Sequence, residues 1–200
     1  MVWKYIITCV IAYLIGNFAT SYLVSKKAAN IDIRKYGSGN AGATNVLRVL
    51  GLKHGLITFA GDALKAVVAV LIGSIIAGEN GKLLAGLFVV IGHNWPAALG
   101  FKGGKGIAAT IGSMAATVPL VALIVIPTGV LILVVTKYVS LASVLGIIMF
   151  PIVIVIMSMP MNYIMLSTIL CIIAIFKHRA NIVRLIKGTE SKIGQKVKPE

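Results

Sequence analysis

Long apolar runs, each closed by a cluster of polar or basic residues, set the pattern of this chain. The runs fall at about Tyr5–Val24, Leu56–Ala77, Leu83–Leu99, Ile107–Val135, Val139–Met157 and Met161–Phe176. All but the fourth match the ~20 residues that one helical crossing of a bilayer needs. The fourth has 29 residues and carries Thr117-Val118-Pro119 near its middle. It reads either as one long tilted helix or as two short helices meeting at Pro119.

Charge separates the two readings, because short basic loops stay cytoplasmic. Six crossings would put Lys26, Lys27, Arg34, Lys35, Arg48 and Lys53 on the inner side. Lys177, Arg179, Arg184, Lys187, Lys192, Lys196 and Lys198 would then lie outside. Seven crossings, with the N-terminus outside and the C-terminus cytoplasmic, put sixteen of the 19 Lys and Arg inside. Lys4 and Lys82 stay outside, and Lys65 lies within a span. The expected fold is therefore all-α and integral to the membrane, with seven spans and glycine-rich cytoplasmic or re-entrant loops. The piece Ile107–Thr117 is only ~16 Å long as a helix. It crosses only if the glycine-rich stretch before it dips into the protein, where irregular backbone is covered. Whether 83–117 holds full spans or re-entrant helices stays open.

Composition leaves no room for a soluble domain. Apolar residues make up 58% and charged residues 12%, against roughly 25% charged in soluble domains; the mean hydropathy is +1.00. Residues 1–200 read as one polytopic membrane domain. The first run is too long for a signal-peptide core and lacks a small-residue cleavage site, so it is expected to stay as the first span. The net charge of +14 would suit nucleic acid, but it sits between apolar spans. Membrane lipid heads and anionic substrates are the simpler partners, and no nucleic acid is expected. Cys9 and Cys171 lie inside apolar runs without metal-ligand spacing, so neither a disulfide nor a metal is expected.

Four polar islands share the cytoplasmic side of the seven-span order. The first is Gly37-Ser38-Gly39-Asn40-Ala41-Gly42-Ala43-Thr44-Asn45, followed by Arg48. Glycines permit positive φ and close backbone approach, and successive N–H groups can form an anion nest. Ser38, Thr44 and Asn45 add hydrogen bonds, and Arg48 can grip a phosphate in a fork. The alternative is a surface loop with a helix cap at Thr44 or Asn45. The stretch also matches G-x-G-x-x-G at Gly37, Gly39 and Gly42. No strand precedes it and Asp62 lies in an apolar span, so dinucleotide binding does not follow.

The second island runs from Gly92-His93-Asn94-Trp95-Pro96 to Phe101-Lys102-Gly103-Gly104-Lys105-Gly106. Gly106 stands where a phosphate-binding P-loop has Ser or Thr. Two ammonium groups beside open backbone still favour an anion at a helix start, the alternative being a solvated turn. Tyr138 to Ser143 is the third, where Ser140 and Ser143 taken alone read as helix caps. In the fourth, His178 and Asn181 share a face of an expected interfacial helix with Arg184, and Glu190 follows. Its alternative is a basic tail gripping lipid heads. Within the spans, Asp62 and Lys65 are one turn apart and read as a mutual pair rather than a catalytic couple.

Together the islands resemble the acyl-phosphate-dependent glycerol-3-phosphate acyltransferases of bacteria, the PlsY type. The matching motifs are G-S-G-N-x-G-A-T-N with its Arg at Gly37–Arg48, G-H…P…F-K-G-G-K-G at Gly92–Gly106, and H-R-x-N-I-x-R-L…G-x-E at His178–Glu190. They cover essentially the whole chain. Ala66 stands where the family usually has Gly, and Thr110 falls one position late, so neither is given a role.

The resemblance implies acyl transfer from acyl phosphate to the sn-1 hydroxyl of glycerol 3-phosphate. The products are lysophosphatidic acid and phosphate, formed at the cytoplasmic face of the bacterial inner membrane without a cofactor. The H-x-x-x-x-D motif of another acyltransferase class is absent, since Phe59, Ala98 and Val183 stand five residues after His54, His93 and His178. The candidate catalytic set is Ser38, Arg48, Lys105, His178 and Asn181. Gly37, Ser38, Gly39, Asn40, Gly42, Thr44 and Asn45 are expected to bind acyl phosphate. Arg48, Gly103, Gly104, Lys105, Ser143, His178 and Asn181 are expected to bind glycerol 3-phosphate. Asp62, Lys65, His93 and Glu190 support them, with Glu190 paired to a nearby Arg or Lys. An acyl phosphate already has a good leaving group, so alignment and charge stabilisation suffice. The hydroxyl proton goes to His178 or to a substrate phosphate oxygen, the latter favoured. A transporter of a phosphorylated solute would show an inverted repeat, and a phosphatase would need a nucleophile or metal cluster.

Seven spans place Ser38 and His178 on one side of the membrane. Single cysteines at the two positions should react with an impermeant maleimide from the same side of sealed vesicles; opposite sidedness would refute the topology.

Overall fold

The computed structural model describes residues 2–195, so Lys196 and Lys198, counted above among the inner charges, lie outside the described residues. Among these, every regular element is helical: eight α-helices and two short 3-10 turns. They form two compact units, 2–117 and 118–195. Among the described residues four stretches are long and apolar enough to cross a membrane: Val2–Ala29, Leu52–Leu99, Pro119–Thr136 and Val139–Ile156.

The first unit holds α1 (Val2–Gly16), α2 (Thr20–Ala29), α3 (Ala43–Leu50), α4 (Leu52–Asn94) and α5 (Ile107–Thr117). The run expected as one span, Tyr5–Val24, is broken at Asn17-Phe18-Ala19. Asn17 provides the reason. Its Nδ2 donates to the Tyr13 carbonyl at 2.7 Å, and its Oδ1 accepts from Ala98 N at 3.3 Å. A short amide side chain thus competes with the helical ladder.

The second and third runs form one doubled-back element. α4 leaves helical geometry at Ala77 (φ −137°, ψ 22°) and Gly78 (φ 61°, ψ −145°). Lys65 meets His93, Val70 lies beside Gly86, and Gly73 faces Gly81. These pairs are centred on Gly78, as an antiparallel hairpin requires. A Cβ on Gly81 would run into the Gly73 carbonyl, so here the limbs touch backbone to backbone. Such small-residue contacts are how helices pack in lipid, where no hydrophobic force drives apolar helices together. α1 joins the second limb through Gly16 against Gly92, and α5 joins the first through Gly112 against the Ala63 carbonyl. The second limb stops at Asn94 rather than at Leu99, because Pro96 pushes Trp95 out of the helical region.

The fourth run is two helices. α5 ends at Thr117, Val118 turns out of the helix (φ −140°, ψ 68°), and Pro119 is the first residue of α6 (Pro119–Thr136). Proline suits that position, since the N–H it lacks would have no partner there. In the second unit α6 is followed by α7 (Val139–Ile156) and α8 (Met161–Ile186). α8 continues ten residues beyond the expected end at Phe176. His178 and Asn181 therefore extend the buried stripe of Leu170 and Ala174 on the same helix, instead of belonging to a separate interfacial one.

Two glycine substitutions test this packing. Gly81→Val should lower stability in detergent by about 1–3 kcal/mol through overpacking. Gly146→Ala in α7, where a Cβ meets nothing within 4 Å, should leave the melting temperature unchanged or raise it slightly, since Ala is the better helix former.

Candidate functional site

The first glycine segment is shaped by two side chains. Asp32 opens a 3-10 turn over Ile33–Lys35 by accepting from Arg34 N at 3.1 Å. Its carboxylate also takes the Arg34 guanidinium in a fork, with contacts of 3.0 and 2.7 Å. The Arg34 hydrogen bond holds Asp32 below the ordinary carboxylate range. Arg34 reaches the Leu99 carbonyl as well, at 2.9 Å, and so ties this loop to the turn before the second glycine segment. Asn45 is the second organiser, only 2% exposed. Its Oδ1 accepts from Ser38 N at 2.9 Å, and its Nδ2 donates to the carbonyls of Ile33 and Tyr36 at 3.1 and 2.9 Å. This alters the expectation for Asn45 as a substrate ligand: its amide is committed to the loop on both sides. Gly37 (φ 58°) must be glycine for a further reason, since a Cβ there would collide with Asn45 Oδ1.

This folding leaves five successive backbone N–H groups, Asn40 to Thr44, without an intramolecular acceptor among the described residues. They lead into the first turn of α3, where the helix dipole favours negative charge. Thr44 and Arg48 are four residues apart on α3 and share its face, both half-buried. Ser38 is exposed beside them, and Asn40 is half-buried.

Asp62 and Lys65 form the expected pair at 2.8 Å, both buried in the first limb of α4. The cluster is larger than the pair. Lys65 Nζ lies 3.0 Å from His93 Nδ1 and 2.7 Å from the Phe18 carbonyl, in the break between α1 and α2. Asp62 Oδ1 is 3.4 Å from His93 Nδ1, a longer contact than either Lys65 makes with them. A cavity of about 10 Å³ lined by Ser21, Ala41, Asp62, Lys65, His93 and Gly103 adjoins the cluster. It holds one water at most. The second glycine segment is built against His93. Gly104 N donates to the His93 carbonyl at 3.1 Å, and a Cβ on Gly103 or Gly104 would strike the His93 carbonyl or ring. Lys105 follows, half-buried, and Gly106 (φ 83°) opens α5.

In the second unit, His178 Nδ1 lies 2.8 Å from the Ala174 carbonyl. A carbonyl only accepts, so Nδ1 carries the proton and Nε2 is the acceptor nitrogen. Asn181 Nδ2 and Arg184 Nε both donate to Glu190, each at 2.7 Å. Glu190 thus has the structural partner expected of it, and Arg184 is engaged there. Ser143 Oγ donates back to the Val139 carbonyl at 2.8 Å, as a helical serine commonly does. Burial pushes the Glu190 carboxyl up, but the bonds from Asn181 and Arg184 outweigh it and hold the group below its ordinary value.

Sequence reasoning missed the Lys65–His93 contact and the Phe18 carbonyl. One signal was available: Gly78 lies near the midpoint between Lys65 and His93. Among the described residues no group of three or more His, Cys, Asp or Glu side chains could hold a metal.

A family model described as glycerol-3-phosphate acyltransferase matches residues 6–188. Glycerol-3-phosphate acyltransferase of Thermoanaerobacter sp. (strain X514) is 52% identical over 191 residues, 96% of each chain. That of Clostridioides difficile (strain 630) is 50% identical over 201 residues, covering 98% of each. Crystal structures of PlsY, an integral membrane glycerol 3-phosphate acyltransferase, are also similar. Its glycerol 3-phosphate form aligns with a TM-score of 0.90 at 35% identity, covering 95% of this chain and 96% of that one. Its lysophosphatidic acid form aligns at 0.87 and 35%, covering 95% of both.

A carboxyl with a depressed value stabilises the fold above its unfolded value and loses that contribution as pH falls through the depressed one. Glu190→Gln should therefore cost about 1.5–3 kcal/mol at pH 7, the worth of charge-assisted hydrogen bonds. It should also flatten the loss of stability below the ordinary glutamate value of 4.5. Melting curves of both proteins across pH 3–7 check this.

Proposed function

The chain belongs to the glycerol-3-phosphate acyltransferase family and is an integral membrane enzyme of the PlsY type, and from that premise we propose a direct transfer of an acyl group from acyl phosphate to the sn-1 hydroxyl of glycerol 3-phosphate. The hydroxyl oxygen attacks the acyl carbonyl carbon, the bond from that carbon to the phosphate oxygen breaks, and inorganic phosphate leaves. The hydroxyl proton passes to a substrate phosphate oxygen, so no protein nucleophile is needed. The observation that carries this reading is the row of five N–H groups from Asn40 to Thr44 without acceptors among the described residues. Donors fixed in place before the charge develops stabilise an oxyanion without reorganisation.

We assign the nest, with Gly37, Ser38, Gly39, Gly42 and Thr44, to the acyl-phosphate phosphate and the developing oxyanion. Asn45 keeps the nest in shape rather than touching substrate. Arg48 and Lys105 supply charge for glycerol 3-phosphate, with Gly103 and Gly104 shaping the loop that carries Lys105. His178 and Asn181, through the family motif, and Ser143, from the Tyr138–Ser143 island, keep their assignment to glycerol 3-phosphate, and the Nδ1 proton on His178 makes its Nε2 an acceptor suited to a hydroxyl. The wider reading is one domain over 1–200 with seven spans, an outer N-terminus and a cytoplasmic active site in a bacterial inner membrane.

Radiolabelled glycerol 3-phosphate with purified protein and synthetic palmitoyl phosphate tests the reaction. Lysophosphatidic acid should form with one phosphate released per ester, by sequential kinetics and with no turnover of palmitoyl-CoA. A trapped acyl-enzyme would defeat the direct attack, and a CoA-only reaction would defeat the donor. Arg48→Ala and Lys105→Ala each remove charge-assisted contacts worth ~1.5–3 kcal/mol, a ten- to hundredfold loss in kcat/KM in the same assay.

A further inference from the structure

We infer that His93, held by Lys65 and Asp62, is a positioning residue that sets the second glycine segment and hence the affinity for glycerol 3-phosphate. This rests on the assignment of Lys105 to that substrate. An ammonium group has three N–H donors and no acceptor. Lys65 Nζ donates to the Phe18 carbonyl at 2.7 Å, meets His93 Nδ1 at 3.0 Å, and is ion-paired with the Asp62 carboxylate at 2.8 Å. Lys65 is consequently spent as a cation for substrate. His93 Nδ1, facing a pure donor, is the acceptor nitrogen, so the ring proton sits on Nε2. That edge of the ring abuts the Cβ side of Gly104, where the Ala41 carbonyl also lies, 3.0 Å from an added Cβ. The loop before Lys105 is therefore seated against both the His93 ring and the first glycine segment.

An Asp62–Lys65 pair alone would account for a structural ion bridge. It would not require a third side chain, from a residue whose backbone carbonyl takes Gly104 N–H and whose ring edge fills the space a side chain would occupy. Nor do the three side chains act on substrate directly, since each is no more than 7% exposed and the adjoining cavity holds a water at most. The cluster works through the loop.

Two amide variants separate the two ends of the ring. The Asn amide reaches as far as Nδ1, so His93→Asn still accepts from Lys65 but leaves a gap beside Gly104. The Gln amide reaches the Nε2 position, so His93→Gln refills that gap. Calorimetric titration of glycerol 3-phosphate into the purified full chain reads affinity without any acyl donor, and steady-state kinetics with palmitoyl phosphate reads both KM values. His93→Asn should weaken glycerol 3-phosphate about tenfold in Kd and KM, with kcat and the KM for palmitoyl phosphate within about twofold. Its melting temperature should stay at the wild-type value, and His93→Gln should recover most of the loss.

Gly104→Ala should do less harm in the His93→Asn background than in wild type, because the ring edge it strikes is gone. Unchanged glycerol 3-phosphate affinity in both His93 variants, equal weakening of the two substrates, or losses that track the melting temperature would each overturn the positioning role. If wild type binds glycerol 3-phosphate but does not turn over palmitoyl phosphate, the proposed donor fails while the calorimetric series still decides this inference. Absence of glycerol 3-phosphate binding in wild type would overturn both.

Discussion

A helix that breaks inside a bilayer must find new partners for the carbonyls it frees, because hydrocarbon supplies none. In this chain one ammonium meets that demand. Lys65 takes the Phe18 carbonyl in the interruption of the first span, and the same nitrogen draws in Asp62 and His93 from the two limbs of α4. Three stretches of chain that share no sequence neighbourhood are thereby fixed to one point. The arrangement is all-or-nothing, since removing one member of a buried ion pair leaves the other uncompensated at a cost of about 3–5 kcal/mol. A site that needs accurately placed backbone benefits from that stiffness.

The first glycine segment follows a different strategy. The surface we propose for recognition is main chain, Asn40 to Thr44, and its side chains mostly organise that surface. Asn45 fastens Ser38, Ile33 and Tyr36 at once, and Asp32 with Arg34 fixes the approach to it. Backbone donors carry no rotamer entropy of their own, so nothing further needs to be frozen when an anion arrives. This fits chemistry whose leaving group is already activated, where orientation counts for more than a strong base.

How legible each feature was depended on the reach of its cause. The division of the fourth apolar run was open until charge chose between the two readings, and Pro119, which dictates its own φ and restricts the residue before it, marks where it falls. The Asp62–Lys65 pair was plain, being one helical turn apart. The interruption of the first span was hidden, since Asn17 draws on Ala98, far along the chain. His93 joined the pair only because α4 folds back on itself, a tertiary event. Asn45 was assigned to substrate because an amide among glycines looks the same whether it binds a ligand or its own loop. The family motifs pick out segments, but a motif does not say which of its members touch substrate and which hold the others in place.

The hairpin of α4 imposes a counting rule on the gene. Lys65 and His93 face each other because the turn at Ala77-Gly78 divides the helix into limbs of matched length between them. One codon inserted or lost in a single limb would rotate everything beyond it by about 100° and slide it 1.5 Å, carrying the imidazole off the ammonium and the glycines off each other. Length changes along this stretch are tolerable only as compensating pairs on either side of the turn. Drift in residue identity is far freer there than drift in residue number, so α4 acts as a ruler as much as a wall.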